Sequence, residues 1–220
     1  MIRRQVLAMG TALLVVGLSA CSKPAEVPKP AAPPPVHRVL GATGLDVPPD
    51  TVRVAIETSE GEIILELDGK HAPITTANFL HYVDMHKLDS GTFYRAVKAG
   101  QSGFIQFNSG DRTYPPIPHE ATSQTGLSHT EGAISTARYA LGTASNEFTI
   151  TVGDMTYLDA GGTATPDKQG FAVFGHVVAG MDVVKNILHD PISKAKPAPG
   201  DWAGQSLAEP VVIKSAHRIS

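Results

Sequence analysis

The chain is short of the residues that would place it in several large classes. Its 220 residues hold one cysteine and one tryptophan, aromatics make up only 6%, and charged residues only 18%. One cysteine excludes any internal disulfide. Lysines and arginines never gather into a block of five, and no aromatic-basic platform accompanies the formal charge of −3, so nucleic acid is not an expected partner. The nine histidines include no pair at a ligand spacing such as HExxH, which argues against a metal centre; His71, His81 and His86 fall at loop or helix-surface positions. Ser135 and Ser145 lack the sharp strand-to-helix turn that presents a nucleophilic serine, so hydrolase chemistry is not expected. The uncharged run from Val6 to Ala20 is about 15 residues, too short to span a bilayer well.

That run follows Arg3 and Arg4 and ends in Leu18-Ser19-Ala20-Cys21. The pattern resembles a bacterial lipoprotein signal, with small residues before a cysteine that is lipidated and becomes N-terminal. The resemblance implies a signal peptide over 1–20, lipidation at Cys21 and a location on the periplasmic face of a membrane; Ser22 after the cysteine points to the outer membrane. Loss of residues 1–20 removes Arg3 and Arg4 and no acid, moving the formal charge to −5. From Ser22 to Pro35 the chain is Pro/Ala-rich, which disfavours ladders and interior helices. Residues 21–50 are expected to form a lipidated linker, and 51–220 one domain.

The domain starts with alternating residues. Val52-Arg53-Val54-Ala55-Ile56-Glu57-Thr58, a turn at Ser59-Glu60-Gly61-Glu62 and Ile63-Ile64-Leu65-Glu66-Leu67 predict a β-hairpin. Ala72-Pro73-Ile74 opens a predicted helix of roughly 12 residues, with Ala77, Leu80 and Val83 on one stripe. The stretch from Ala99 to Thr130 is rich in Gly, Pro, Ser and Thr and reads mostly as loop. Short strands are expected at 133–135, 148–152, 171–174 and 211–216, and a second helix over Met181–Leu188. Many short strands with two isolated helices point to a barrel or sandwich capped by helices.

Gly91-Thr92-Phe93-Tyr94-Arg95 carries the clearest chemistry. On a regular strand Phe93 and Arg95, two apart, share a face. An arginine keeps its charge and offers five fixed donors. On an aromatic face it can donate to an amide while a greasy ring is buried beside it, a combination suited to proline recognition. Spacing alone favours a structural role for Arg95, paired with Glu120 or Asp111, and it leaves that acidic stretch as solvated loop.

Taken in order, the landmarks resemble the cyclophilins from Val52 to Ile219. They are Gly61-Glu62-Ile63-Ile64-Leu65-Glu66-Leu67, Ala72-Pro73 with Asn78-Phe79-Leu80, Phe93-Tyr94-Arg95, Gly103-Phe104-Ile105-Gln106, Tyr157-Leu158-Asp159 and Phe174-Gly175-His176-Val177 leading into Gly180-Met181. Glu120, Gly126, Leu127, Gly132, Ser135, Ala137 and Arg138 follow the bacterial pattern between them. The resemblance implies a mainly β fold, a closed eight-stranded antiparallel barrel capped by two α-helices, and peptidyl-prolyl cis-trans isomerase activity without metal or cofactor. It makes Arg95 the catalytic arginine, supported by Phe93, and Gln106 the residue that bonds the substrate backbone. Phe104 takes an apolar pocket position, Ala137 and Arg138 the strand that pairs with the peptide, and Phe148, Tyr157, Leu158 and Phe171 line the groove. The chain departs from the family at Glu147-Phe148-Thr149-Ile150, where Glu147 replaces a glutamine and Thr149 a phenylalanine of the proline pocket. Expected partners are proline-containing polypeptides in export and, through Cys21, a membrane; a monomer is expected. Two functions fit: an active isomerase, or a proline-peptide-binding or chaperone module with weak turnover because Thr149 opens the pocket.

Overall fold

The computed structural model describes residues 39–111, 113–195 and 202–220. The expected signal peptide, Cys21 and the linker up to residue 38 lie outside them. Residues 39–50, at the end of that expected linker, make a bridge between Val39 and Asp46 and a single 3-10 turn at Gly41–Thr43. Among the described residues no helix is long and apolar enough to cross a membrane.

The opening hairpin forms as its alternation predicts. Strand β1 (Thr51–Thr58) pairs antiparallel with β2 (Glu62–Asp68), from Thr51 opposite Asp68 to Glu57 opposite Glu62. Val54, Ile56, Ile63, Leu65 and Leu67 face inward and are fully buried. Thr58 closes the turn: its hydroxyl donates to the Gly61 carbonyl and accepts from the Glu60 and Gly61 amides. Gly61 sits at φ +144°, and a Cβ there would come within 2.7 Å of Val183.

Helix α1 (Pro73–Asp84) begins with proline at its first turn and ends just before His86, whose φ of +51° leaves the helical region. Its preceding residue, Ala72, has no side chain to cap the first amides. Glu120 does this from 46 residues away, accepting from the Ile74 amide at 3.0 Å, the Thr75 amide at 2.7 Å and the Thr75 hydroxyl at 2.6 Å. A carboxylate at a helix N-terminus satisfies orphan donors and meets the positive end of the dipole. Glu120 is therefore a buried cap, which corrects its reading as solvated loop.

The remaining strands are β3 (Thr92–Ala99), β4 (Ser102–Asn108), β5 (Ala133–Thr136), β6 (Glu147–Val152), β7 (Ala172–Ala179) and β8 (Ser206–Ile219). They close in the order β1-β2-β7-β5-β6-β4-β3-β8, every pair antiparallel. A short helix, α2 (Thr122–Thr125), precedes β5, and α3 (Met181–His189) follows β7. The stretch 99–130 is mostly loop, as expected, apart from β4 and the short α2. Its glycine and serine content hides the alternation in which Ile105 and Phe107 point inward. Helix α1 packs on β7 and β8, and α3 on β3 and β4. The core is a chain of rings: Phe79 meets Phe148 edge-on at 5.0 Å, Phe148 meets Phe107 at 5.4 Å, and Phe107 meets Phe93 at 4.7 Å.

A bulge in β3 sets the site. Phe93 lies opposite Phe107, yet the next pairing on β4 is Arg95 with Gln106, so Tyr94 is an extra residue. Against β8 the register slips as well, from Phe93–Val211 to Arg95–Ser206, and Pro210, which has no amide to donate, falls within the slip. The alternation is broken. Phe93 points into the core while Tyr94 and Arg95 both face outward, which corrects the expectation that Phe93 and Arg95 share a face.

Candidate active site

Outside the barrel wall, β3, β4 and β6 with the 137–146 and 157–171 segments and Trp202 border a cavity of about 570 Å³. Of the residues expected at the site, Arg95, Phe104, Gln106, Ala137, Arg138, Glu147, Thr149, Tyr157, Leu158 and Phe171 line it. Phe93 and Phe148 do not. Both rings are fully buried in the core, because the bulge turns Phe93 inward and the β6 alternation puts Phe148 opposite Thr149. Phe148 therefore backs the wall rather than lining the groove as expected, and Phe93 supports the wall from behind without touching the cavity.

Arg95 is half-buried and tightly oriented. Its Nε donates to Gln205 Oε1 and its Nη1 to Gln106 Oε1, both at 2.8 Å. Neither Glu120 nor Asp111 pairs with it. Burial lowers its pKa, but a guanidinium stays charged at any physiological pH. Nη2 has no hydrogen-bond partner among the described residues, so these donors remain for a ligand.

Gln106 is itself aimed. Its Nε2 donates to Glu147 Oε2 at 2.9 Å, which turns its carbonyl oxygen toward Arg95. Glu147 also accepts from the Tyr94 hydroxyl at 2.8 Å and from Asn108 Nδ2 at 2.9 Å. Burial, with the Glu147 charge beside it, drives the Tyr94 pKa strongly upward, so the phenol stays a donor. Glu147, where the resemblance implies a glutamine, is the acceptor that fixes Gln106.

Two further sets of bonds shape the wall. Arg138 grips Asp167 through both Nη atoms, at 2.8 and 2.9 Å, and donates to the Gly170 carbonyl from Nε at 3.0 Å and Nη2 at 2.7 Å. The Asp167 carboxyl is held far below its usual range by these bonds. With its side chain 1% exposed, Arg138 holds the loop that carries Phe171, 5.7 Å from its guanidinium, and its donors are spent inside the protein. The Ala137 amide is likewise bonded, to the Glu147 carbonyl at 2.9 Å. On the other side, His129 Nδ1 lies 2.6 Å from Asp159 Oδ1, and Ser128 also bonds Asp159, which anchors the Tyr157–Leu158 segment. Thr149 points into the cavity with its hydroxyl tied to Ser135 Oγ at 2.8 Å.

Sequence reasoning missed Tyr94, Gln205 and Trp202. Tyr94 becomes a site residue only through the bulge. Trp202 and Gln205 come from a turn before β8, and the one available signal was a lone tryptophan among small residues.

The sequence pattern described as cyclophilin type peptidyl-prolyl cis-trans isomerase/CLD matches residues 53–218. The chain belongs to this family. Among similar proteins, peptidyl-prolyl cis-trans isomerase A of Dickeya dadantii is 33% identical over 174 residues, spanning 77% of this chain and 85% of that protein. A peptidyl-prolyl cis-trans isomerase of Streptomyces antibioticus is 34% identical over 167 residues, spanning 74% of this chain and 96% of its own length. The barrel also superposes on the crystal structure of a Cryptosporidium parvum cyclophilin type isomerase with a TM-score of 0.62 at 18% identity, covering 77% of this chain and 98% of that one. In this cyclophilin, the cavity beside Arg95 is bordered by rings from Phe104, Tyr157, Phe171 and Trp202, with a threonine at position 149.

Proposed function

We propose that this cyclophilin accelerates rotation about X–Pro bonds by stabilising the twisted amide with Arg95. The observation that carries the proposal is the geometry of one side chain. Arg95 is fixed on two edges by Gln106 and Gln205 while Nη2 keeps no partner among the described residues, at the wall of an apolar cavity. The X–Pro rotation barrier is about 18–20 kcal/mol because the amide is resonance-stabilised. As the bond twists, the prolyl nitrogen regains its lone pair and becomes an acceptor. A guanidinium already aimed at that nitrogen binds the twisted form better than either planar isomer, and no solvent reorganisation is needed at that moment. The proline ring packs among Phe104, Leu158 and Phe171, and Gln106 with the 137–139 backbone holds the flanking residue. One solved relative, at 18% identity, was crystallised in the presence of the dipeptide Ala-Pro, a ligand of the size this reading requires.

Clients in export and a lipid anchor at Cys21 belong to the same proposal and rest on the Leu18-Ser19-Ala20-Cys21 pattern. Mass analysis of the protein from a lipoprotein-competent bacterium tests the anchor: a diacylglyceryl adduct on Cys21 is expected, and an unmodified Cys21 would contradict it.

The catalytic reading is tested by exchange spectroscopy on an Ala-Pro tetrapeptide, without a coupled protease. The wild type should accelerate cis–trans exchange and Arg95→Ala should remove most of that acceleration with the fold intact. Thr149 favours a second reading, a peptide-binding module with weak turnover; retained affinity with no acceleration in the wild type would select it.

A further inference from the structure

One short turn supplies both an edge and a face of the Arg95 environment. It runs from Trp202 to Gln205, closed by the Gln205 amide on the Trp202 carbonyl at 3.1 Å, with Gly204 in the left-handed region at φ +71°. Gln205 then binds β3 twice: its backbone carbonyl accepts from the Ala96 amide at 2.9 Å, and its side chain accepts from Arg95 Nε. The next residue, Ser206, already pairs with Arg95 in the sheet. Trp202 is thereby carried over the guanidinium, its ring centroid 4.1 Å from Cζ, closer than Phe104 at 5.3 Å. Indole is the strongest of the aromatic partners for a cation.

The rest of the surroundings give this contact its weight. The Trp202 ring is 47% exposed, an unusual state for the chain's single tryptophan. It lines the same cavity in which Thr149, bonded to Ser135, offers no ring. The turn is bonded to Arg95 and to Ala96 of β3, which places the indole beside the guanidinium.

We infer that Trp202 is a positioning residue for Arg95: its indole holds the guanidinium flat against the cavity wall, in register with the twisted prolyl bond. This rests on the isomerase reading above and extends it to a residue outside the family motifs found in the chain. Held from below by the ring, at Nε by Gln205 and at Nη1 by Gln106, the cation has one set of donors left to move. Without the ring, rotation about its last side-chain bonds is less restrained, and that loss falls on the transition state.

The test uses the full domain and an Ala-Pro tetrapeptide as probe. Trp202→Ala should lower kcat roughly threefold to tenfold, the size of a partly desolvated cation–π contact, with KM little changed. Trp202→Phe should recover most of the loss, since a ring of lower cation affinity still covers the guanidinium. Fluorescence gives a readout independent of turnover: as the only tryptophan, Trp202 should change its emission in Arg95→Ala. An unaltered kcat in Trp202→Ala, or a higher one as expected of a ring that covers the site, would overturn the inference, as would unchanged emission in Arg95→Ala. An inactive wild type would instead sink the isomerase reading and the positioning role with it, and an emission change in that case would establish the stack alone.

Discussion

Replacing Thr149 by phenylalanine probes the pocket most sharply, because two opposing effects can be read separately. Thr149 lies against the cavity, 9% exposed, and its hydroxyl satisfies Ser135 Oγ, which is 1% exposed. A ring at 149 would cover roughly 50 Å² of a bound proline, worth about 1.3 kcal/mol at 25 cal/mol per Å². That corresponds to about tenfold in kcat/KM. On the isomerase reading the contact is made equally with the planar and twisted peptide, so the gain belongs in KM and kcat should hardly move; a rise in kcat at unchanged KM would select the weak-turnover module instead. The same change strands the Ser135 hydroxyl, at a cost of about 1–3 kcal/mol of stability. For a domain of this size the melting temperature should fall by roughly 2–4 °C per kcal/mol. Ser135→Ala in the same chain should restore much of it. Exchange spectroscopy over a range of peptide concentrations, beside thermal unfolding, separates the two. Unchanged kcat/KM in a folded Thr149→Phe protein would show that the neighbouring rings already fill the space, and the pocket argument would fail.

Glu147→Ala should lower kcat/KM roughly threefold to tenfold, because Gln106 loses the acceptor that orients it and the Tyr94 hydroxyl is left unpaired; Glu147→Gln should be milder, and equal activity of both with wild type would refute the relay. His129 should make the domain acid-sensitive. Burial holds its pKa below the ordinary 6.5, outweighing the pull of Asp159. The unfolded chain therefore takes up a proton that the folded one refuses, and stability is lost as pH falls from about 6.5 toward the folded value. Urea unfolding at pH 8 and pH 5 should show this difference shrink in His129→Gln; an unchanged difference would place the acid sensitivity elsewhere.

The hairpin, α1 and α3 were legible because their patterns are local: alternation, a proline at a first turn, apolar stripes. The motif residues come together at one cavity for the same reason, since Arg95, Gln106 and Leu158 sit in short stretches with their own signatures. What escaped was set by pairing between distant segments. The bulge that sends Phe93 inward depends on β4 and β8 slipping against β3, and nothing in Thr92-Phe93-Tyr94-Arg95 announces it. Glu120 caps a helix 46 residues earlier. Gln205 reaches Arg95 across 110 residues. Composition alone left β4 inside a loop, since glycine and serine mask the alternation of Ile105 and Phe107; only the resemblance at Gly103-Phe104-Ile105-Gln106 marked it.

The central claim is that one oriented cation lowers the rotation barrier. The most direct measurement is the cis–trans exchange rate of a saturating Ala-Pro tetrapeptide with wild type and with Arg95→Ala, alongside the affinity of each for the peptide. The account predicts exchange close to the uncatalysed rate for Arg95→Ala, with binding weakened far less than turnover. Wild-type exchange in the variant, or a loss of binding that accounts for the whole drop, would contradict it.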